Sequence, residues 1–395
     1  MKRLMTLLSA ALSLTLALSA QEVPAYFTES GYLPSRISSI PKGQPFLFIT
    51  DYHQERNIHH STAGMSYIKQ HAGINWAVFG GDCFDWAPNK EAAAHKLGSY
   101  FDELHSAFGP GLVWVQGNHD CNSSAVNKYK IAEDVALIPD VQCYELTVGK
   151  MTGRPVYDEE LIARYRAMEG LSEHDRTELL AWARMHYWMD DTKGKIRFVV
   201  IETIDGGHTT RNTLESKPRP DNTMPTRRVV EDQLPFLRKA METAPRGYDI
   251  VVLSHMIGHY RLGIKEDSLY EPMIRCVAEY RQAHKRRVVL ISGHQHADAA
   301  FRIRCGHGRR YEVAECPSGS KIGEDEVLLI WTNRDAWKAP LRTRDAEGRP
   351  FPLPGVCPIM TQGTINEVSF DVVTFTKKTI EFTRIGAGSD RSFRW

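Results

Sequence analysis

Five short stretches of this chain are built from side chains that donate oxygen or nitrogen: Asp51-Tyr52-His53, Gly81-Asp82-Cys83-Phe84-Asp85, Gly117-Asn118-His119-Asp120, Ser254-His255 and Gly293-His294-Gln295-His296. Carboxylate oxygen, amide oxygen and imidazole nitrogen together suit borderline divalent or trivalent cations such as Zn, Mn and Fe, and no thiolate is needed. A single Asp-x-His or Gly-His-x-His at a strand end is ordinarily part of a turn. Five donor stretches in one chain are a ligand set for more than one ion.

Each stretch follows an apolar run: Phe46–Thr50, Trp76–Phe79, Leu112–Val115, Val251–Leu253 and Val288–Ser292. Short continuous apolar runs bounded by glycine and polar residues read as strands buried on both faces. Ligands of open α/β sheets bind in the crevice at the carboxyl ends of such strands, so five loops far apart in sequence can meet at one site. Helices are expected between them over 61–71, 89–108 and 123–134, and two more over 159–168 and 172–189 precede a strand at 196–201. Near the carboxyl end, 365–375 and 379–383 read as a hairpin around Lys377-Lys378, and 301–305 turns into 311–313, placing Cys305 and Cys316 as a pair that could face each other.

With 395 residues, 42% hydrophobic, 25% charged and a formal net charge of +1, the composition is that of a soluble globular enzyme with no general attraction to nucleic-acid polymer or membrane. Seven cysteines are an odd number and form no recognisable disulfide framework; Cys83 and Cys121, beside the donor stretches, read as small buried residues. At the amino end, the basic start Met1-Lys2-Arg3, the apolar run Leu4–Leu18 and the small residues before Gln21 read as a secretory signal, too short for a membrane span. The expected organisation is a signal peptide over 1–20, an extended lead-in over 21–44 and one domain over 45–395, in a secreted or periplasmic protein.

The order Asp-x-His, Gly-Asp, Gly-Asn-His-Asp, His, Gly-His-x-His, running from Asp51 to His296, resembles the pattern of the calcineurin-like metallophosphoesterase superfamily over about two-thirds of the chain. The resemblance implies an α/β fold, a four-layer α/β/β/α sandwich of two mixed sheets flanked by helices, with the site at one edge of the facing sheets. It implies that Asp51, His53 and His296 bind one metal, that Asn118, His255 and His294 bind a second, and that Asp82 bridges both with its two oxygens. The cofactors would be two divalent or trivalent ions, Mn, Fe or Zn. His119 resembles the family's catalytic histidine and would not be a ligand. Asp85 resembles the acid that pairs with that histidine, raising its pKa and fixing its tautomer, and Asp120 is a second candidate for the task. The implied reaction is hydrolysis of a phosphodiester, or of a phosphomonoester, by a metal-bridging hydroxide, with His119 assisting the leaving group. A metal-binding scaffold of the same fold without catalysis is the alternative.

Two departures narrow the resemblance. Purple acid phosphatases have glycine where this chain has His53 and tyrosine where it has Asp85, and serine/threonine protein phosphatases have Arg-Gly where it has Trp86-Ala87. The form found here is similar to that of phosphodiesterases acting on small molecules or head groups. Lid insertions are expected at about 150–190, rich in Trp182, His186, Tyr187 and Trp188, and at about 205–230. They would overhang the metals and select the alcohol side of the substrate, with His208, Arg211 and Arg219 as contacts.

Overall fold

The apolar runs become strands because β-branched and aromatic side chains fill both faces of each. A computed structural model describes residues 23–53, 55–202, 226–257, 270–305, 311–332, 334–336 and 357–395. Its strands are β1 (Gln44–Ile49), β2 (Ala77–Phe79), β3 (Leu112–Trp114), β4 (Val156–Tyr157), β5 (Tyr187–Asp191), β6 (Ile196–Val200), β7 (Asp249–Leu253), β8 (Val288–Ser292), β9 (Ala299–Cys305), β10 (Tyr311–Glu315), β11 (Glu326–Trp331), β12 (Ser369–Phe375), β13 (Thr379–Gly386) and β14 (Arg391–Arg394). The longer helices are α1 (Glu55–Ala72), α2 (Lys90–Phe108), α3 (Glu159–Ala167), α4 (Glu173–Trp182), α5 (Thr226–Glu242) and α6 (Tyr270–His284).

These strands form two mixed sheets, one of six strands in the order β14-β13-β12-β1-β2-β3 and one of eight in the order β10-β9-β11-β8-β7-β6-β5-β4. The motif-bearing strands are parallel neighbours: β1 beside β2 and β2 beside the edge strand β3 in one sheet, β7 beside β8 at the centre of the other. Strict alternation sorts the second sheet's side chains. Phe198, Val251, Leu253, Val289 and Ile291 face the first sheet, while Val199, Ile250, Val252, Val288 and Leu290 pack with Phe236 and Leu237 of α5 and Ile274 and Val277 of α6. Across the interface the rings of Phe46 and Trp76 lie 5.0 and 5.3 Å from that of Phe198. Tyr187 bolts the sheets together, its hydroxyl donating to Trp114 O at 2.8 Å and accepting from Trp114 N at 2.9 Å. The result is the expected four-layer sandwich.

Four expectations need correction. The lead-in is not extended: Tyr32–Ser39 is a helix with Pro34 in its first turn, where no N–H is needed, and its buried Leu33 packs in the core. The helix expected over 123–134 is two short pieces, Ser123–Asn127 and Glu133–Ala136. The helix expected to reach 189 stops at Trp182, because the alternating Tyr187–Asp191 run joins the second sheet as β5, with Tyr187 opposite Val200. The 150–190 segment therefore supplies β4 and β5 at one end of the second sheet, with Trp182 and Tyr187 buried. Cys305 and Cys316 do not face each other: Cys305 is opposite Tyr311 and Cys316 N bonds Ala300 O, so they sit at opposite ends of the ladder, and no disulfide joins any of the described cysteines. Most of the 205–230 segment, with His208, Arg211 and Arg219, lies outside the described residues.

One buried group sets a pH limit. His186 is fully buried between the rings of Trp182 and Phe236, neither ring nitrogen has a hydrogen-bond partner among the described residues, and burial pushes its pKa down to about 3. The unfolded imidazole protonates near pH 6.5, so between about 6.5 and 3 protons bind the unfolded chain preferentially, and stability falls as pH drops through that window. His186→Phe is expected to flatten the fall: urea unfolding of metal-free protein at pH 7 and pH 5 should show wild type losing about 2 kcal/mol more than the variant. Equal losses would place the imidazole in contact with water.

Candidate metal centre

Three of the five donor stretches end their strands in an unusual backbone conformation. Asp51, His53, Asp82, His294 and His296 have φ of 55°, 52°, 62°, 65° and 54°, and they are half of the ten non-glycine residues with positive φ among the described residues. Such left-handed turns cost about 1–3 kcal/mol each and persist where the surroundings enforce them. Here they turn side chains back across the strand ends. Two glycines permit the close approach: a Cβ on Gly81 would meet His255 Nδ1 at 2.4 Å, and one on Gly117 would meet Asp82 N at 2.1 Å.

The donors gather into two sets. In the first, His53 Nε2 lies 3.0 Å from His296 Nε2, 3.5 Å from Asp51 Oδ1 and 3.8 Å from Asp82 Oδ2, and His296 Nε2 lies 3.1 Å from Asp51 Oδ1. In the second, Asn118 Oδ1 lies 2.9 Å from His294 Nδ1 and 3.1 Å from His255 Nε2, which is 3.2 Å from Asp82 Oδ2. All seven expected ligands are therefore together. Asp82 Oδ2 lies within reach of both sets, while Oδ1 accepts from His119 N at 2.7 Å. The outer atoms are fixed as well. His255 Nδ1 donates to Gly80 O at 2.7 Å, aiming Nε2 inward, and Asp51 Oδ2 accepts from Thr50 Oγ1 at 2.8 Å and His294 N at 2.9 Å.

Electrostatics fit a site made for cations. Burial raises the pKa of Asp51 and Asp82, yet both are held below the usual carboxylate range by the histidines around them, His296 for Asp51 and His255 for Asp82. Burial lowers His53 to about 4 and His294 to about 3, so both are neutral and can donate a lone pair. His255 is the exception: burial lowers it, but the Asp82 charge and hydrogen bond carry it up to about 10. The carboxylates thus draw positive charge inward, and a bound cation would displace the His255 proton. Buried, converging oxygen and nitrogen donors of this kind fit two cations.

His119 stands beside the gap. Its Nδ1 donates to the backbone carbonyl of Asp85 at 2.6 Å, with the Asp85 carboxylate at 3.7 Å, and its Nε2 lies 3.9 Å from Asp82 Oδ2. The tautomer is therefore fixed by the main chain of Asp85, where the sequence pattern suggested its carboxylate. Asp120 takes another role: its carboxylate accepts from Gly117 N at 2.7 Å, Cys83 N at 2.7 Å and Asp82 N at 3.2 Å, so it staples the loops of Asp82 and Asn118 together without facing the His119 ring. Burial, with the Asp82 charge, pushes Asp120 up to about 6.

The structure adds a support that no motif announced. Arg384 on β13, fully buried, bonds Asp371 at 2.9 and 3.1 Å, Ser369 Oγ at 2.6 Å and Asp298 Oδ1 at 2.6 Å. Asp298 follows His296 by two residues, so the first sheet anchors the ligand loop of the second. Arg384→Met leaves Arg391 as the remaining cation beside Asp371, at 2.7 Å, and Asp298, at 3.4 Å, so it is expected to cost about 1–3 kcal/mol, the effect of losing hydrogen bonds to buried charged groups, and to weaken cation binding about 10–100-fold by loosening His294 and His296. Urea unfolding and metal titration check both; unchanged affinity would show the anchor to be structural only.

A family model described as calcineurin-like phosphoesterase matches residues 44–298. Among solved structures, the chain is similar to a crystal structure of a dimetal phosphatase from Danio rerio, with a TM-score of 0.45 and 12% identity, over 89% of this chain and 98% of that one. No curated protein matches by sequence.

Proposed function

We propose that this chain, which belongs to the calcineurin-like phosphoesterase family, is a secreted or periplasmic two-metal enzyme that hydrolyses a small phosphodiester. The observation that carries the reading is the single Asp82 oxygen within reach of both donor sets, with His119 Nε2 3.9 Å from it. Asp51, His53, His296 and Asp82 would hold one cation, and Asn118, His255, His294 and Asp82 the other. When bound, two such cations supply Lewis acidity toward phosphate oxygens and toward water.

The protein groups do the rest. Asn118 adds a donor without adding negative charge, leaving the centre cationic toward a phosphate anion. His119, held through Nδ1, keeps Nε2 free to give a proton to the leaving oxygen. A diester is favoured over a monoester because Trp86-Ala87 stands where an Arg-Gly clamp for the extra charge of a monoester would be. Export is supported by the amino-terminal run, and among the described residues no helix is long and apolar enough to cross a membrane. Protein loaded with Mn, Fe or Zn should bind two ions per chain and turn over bis(p-nitrophenyl) phosphate faster than p-nitrophenyl phosphate. Faster monoester turnover would reverse the preference. No turnover of either with two ions bound would sink the enzyme reading in favour of a binding scaffold.

A further inference from the structure

Of the described tryptophans, Trp76, Trp114, Trp182, Trp188, Trp331 and Trp395 belong to or pack against the apolar clusters of the protein; Trp86, though half-buried, joins none of them. A tryptophan side chain is the largest apolar group a protein can bury, and leaving one outside the core forgoes that stabilisation. Its place is specific. Trp86 directly follows Asp85, whose carbonyl accepts from His119 Nδ1 at 2.6 Å. Its other neighbour, Ala87, is clamped through both backbone groups by Asn122, at 2.8 Å to N and 3.1 Å to O. The main chain under the indole is thus held from both sides, and one of those holds is the catalytic histidine.

The indole is also braced. Tyr129 stacks against it with centroids 4.2 Å apart and planes inclined at 29°, and the Tyr129 ring in turn carries Lys128 Nζ at 5.2 Å. Tyr129 is 41% exposed, and it is the only ring or cation partner of Trp86 among the described residues. Tyr129 therefore backs one face of the indole, and no other ring or cation of the described residues stacks on it. We infer that Trp86, braced by Tyr129, is the specificity platform for the leaving group of the substrate, and that this group carries a flat ring, a nucleobase or an aryl group. The inference rests on the phosphodiesterase reading above. In that reading His119 serves the leaving oxygen, and because Trp86 is next in the chain to the carbonyl that anchors His119, the inference assigns the indole to the leaving-group side. Base–aromatic stacking tolerates any base and contributes enough to set a preference.

Three diesters test it on metal-loaded protein: the methyl ester of adenosine monophosphate, methyl phenyl phosphate and glycerophosphocholine. In Trp86→Leu, the kcat/KM ratio of either ring-bearing ester to glycerophosphocholine is expected to fall about 10- to 100-fold, mainly through KM, and Trp86→Phe should recover most of it. A larger fall for the adenosine ester than for the phenyl ester assigns a nucleobase; equal falls assign any flat ring. An unchanged ratio, or equal loss for all three esters, overturns the platform. Calorimetry on the same proteins gives a readout independent of turnover: adenosine monophosphate should bind about tenfold or more tighter than inorganic phosphate, and Trp86→Leu should remove that advantage. If none of the esters is hydrolysed with two ions bound, the enzyme reading fails while the calorimetry still decides the platform.

Discussion

Asp82→Ala is expected to leave a folded protein that retains neither cation and hydrolyses esters at least about 10³-fold more slowly, the consequence of losing several kcal/mol of charge stabilisation. The geometry makes this residue unlike the other six ligands. Its Oδ2 is 3.2 Å from His255 Nε2 and 3.8 Å from His53 Nε2, so one atom belongs to both donor sets. Removing any other ligand leaves one set intact, and removing Asp82 opens both. The substitution also strips the acceptor from His119 N, which Asp82 Oδ1 holds at 2.7 Å, and so loosens the residue proposed for proton transfer. Asp82→Asn separates these effects, because an amide oxygen can still accept from His119 N but brings no negative charge to the cations. Metal analysis after gel filtration should find two ions per chain in wild type and fewer than one in either variant, with His119 better ordered in the Asn variant. Two ions retained in Asp82→Ala would mean that the sets bind independently and that the shared oxygen is not a bridge.

The fold was legible where the side chains themselves encode it. Continuous apolar runs ending in Asp, Asn or His fixed both the parallel strands and the ends at which ligands gather, and all seven proposed ligands lie together. What could not be read was what depends on register or on contacts across the sheets. Tyr187–Asp191 has an aromatic composition that suits either a helix face or a strand, and only its pairing with β6 decides it. Arg384 shows no periodic signal, and its importance appears only when β13 lies against the loop of Asp298. Asp120 and Asp85 were ambiguous for a related reason. Both are acids near His119 in the motif, but the backbone turn at Asp82 places Asp120 against three N–H groups and brings the carbonyl of Asp85 to the imidazole. A motif states which side chains are present. Whether the side chain or the main chain makes the contact is settled by φ and ψ at residues such as Asp82.

His119→Asn should lower kcat about 10²- to 10⁴-fold, the range for general acid–base groups, with two ions per chain still bound. The division follows from which atoms touch what. Asp82 Oδ1 is held by the backbone N–H of His119, which survives the substitution, and each donor set is complete without the His119 ring; because that ring also lies within ligand reach of His53 and Asp85, metal content must be measured beside the rate. The lost group is the Nε2 that faces the gap. If its work is to protonate the leaving oxygen, the loss must depend on how much that oxygen needs a proton. A p-nitrophenolate leaving group departs readily as an anion, so bis(p-nitrophenyl) phosphate should suffer least, and a diester with an alkyl leaving group should suffer most. Kinetics with both esters, beside metal analysis, give the answer. A loss independent of the leaving group would move His119 from proton donor to stabiliser of charge on the phosphoryl group, and loss of an ion would make it a ligand.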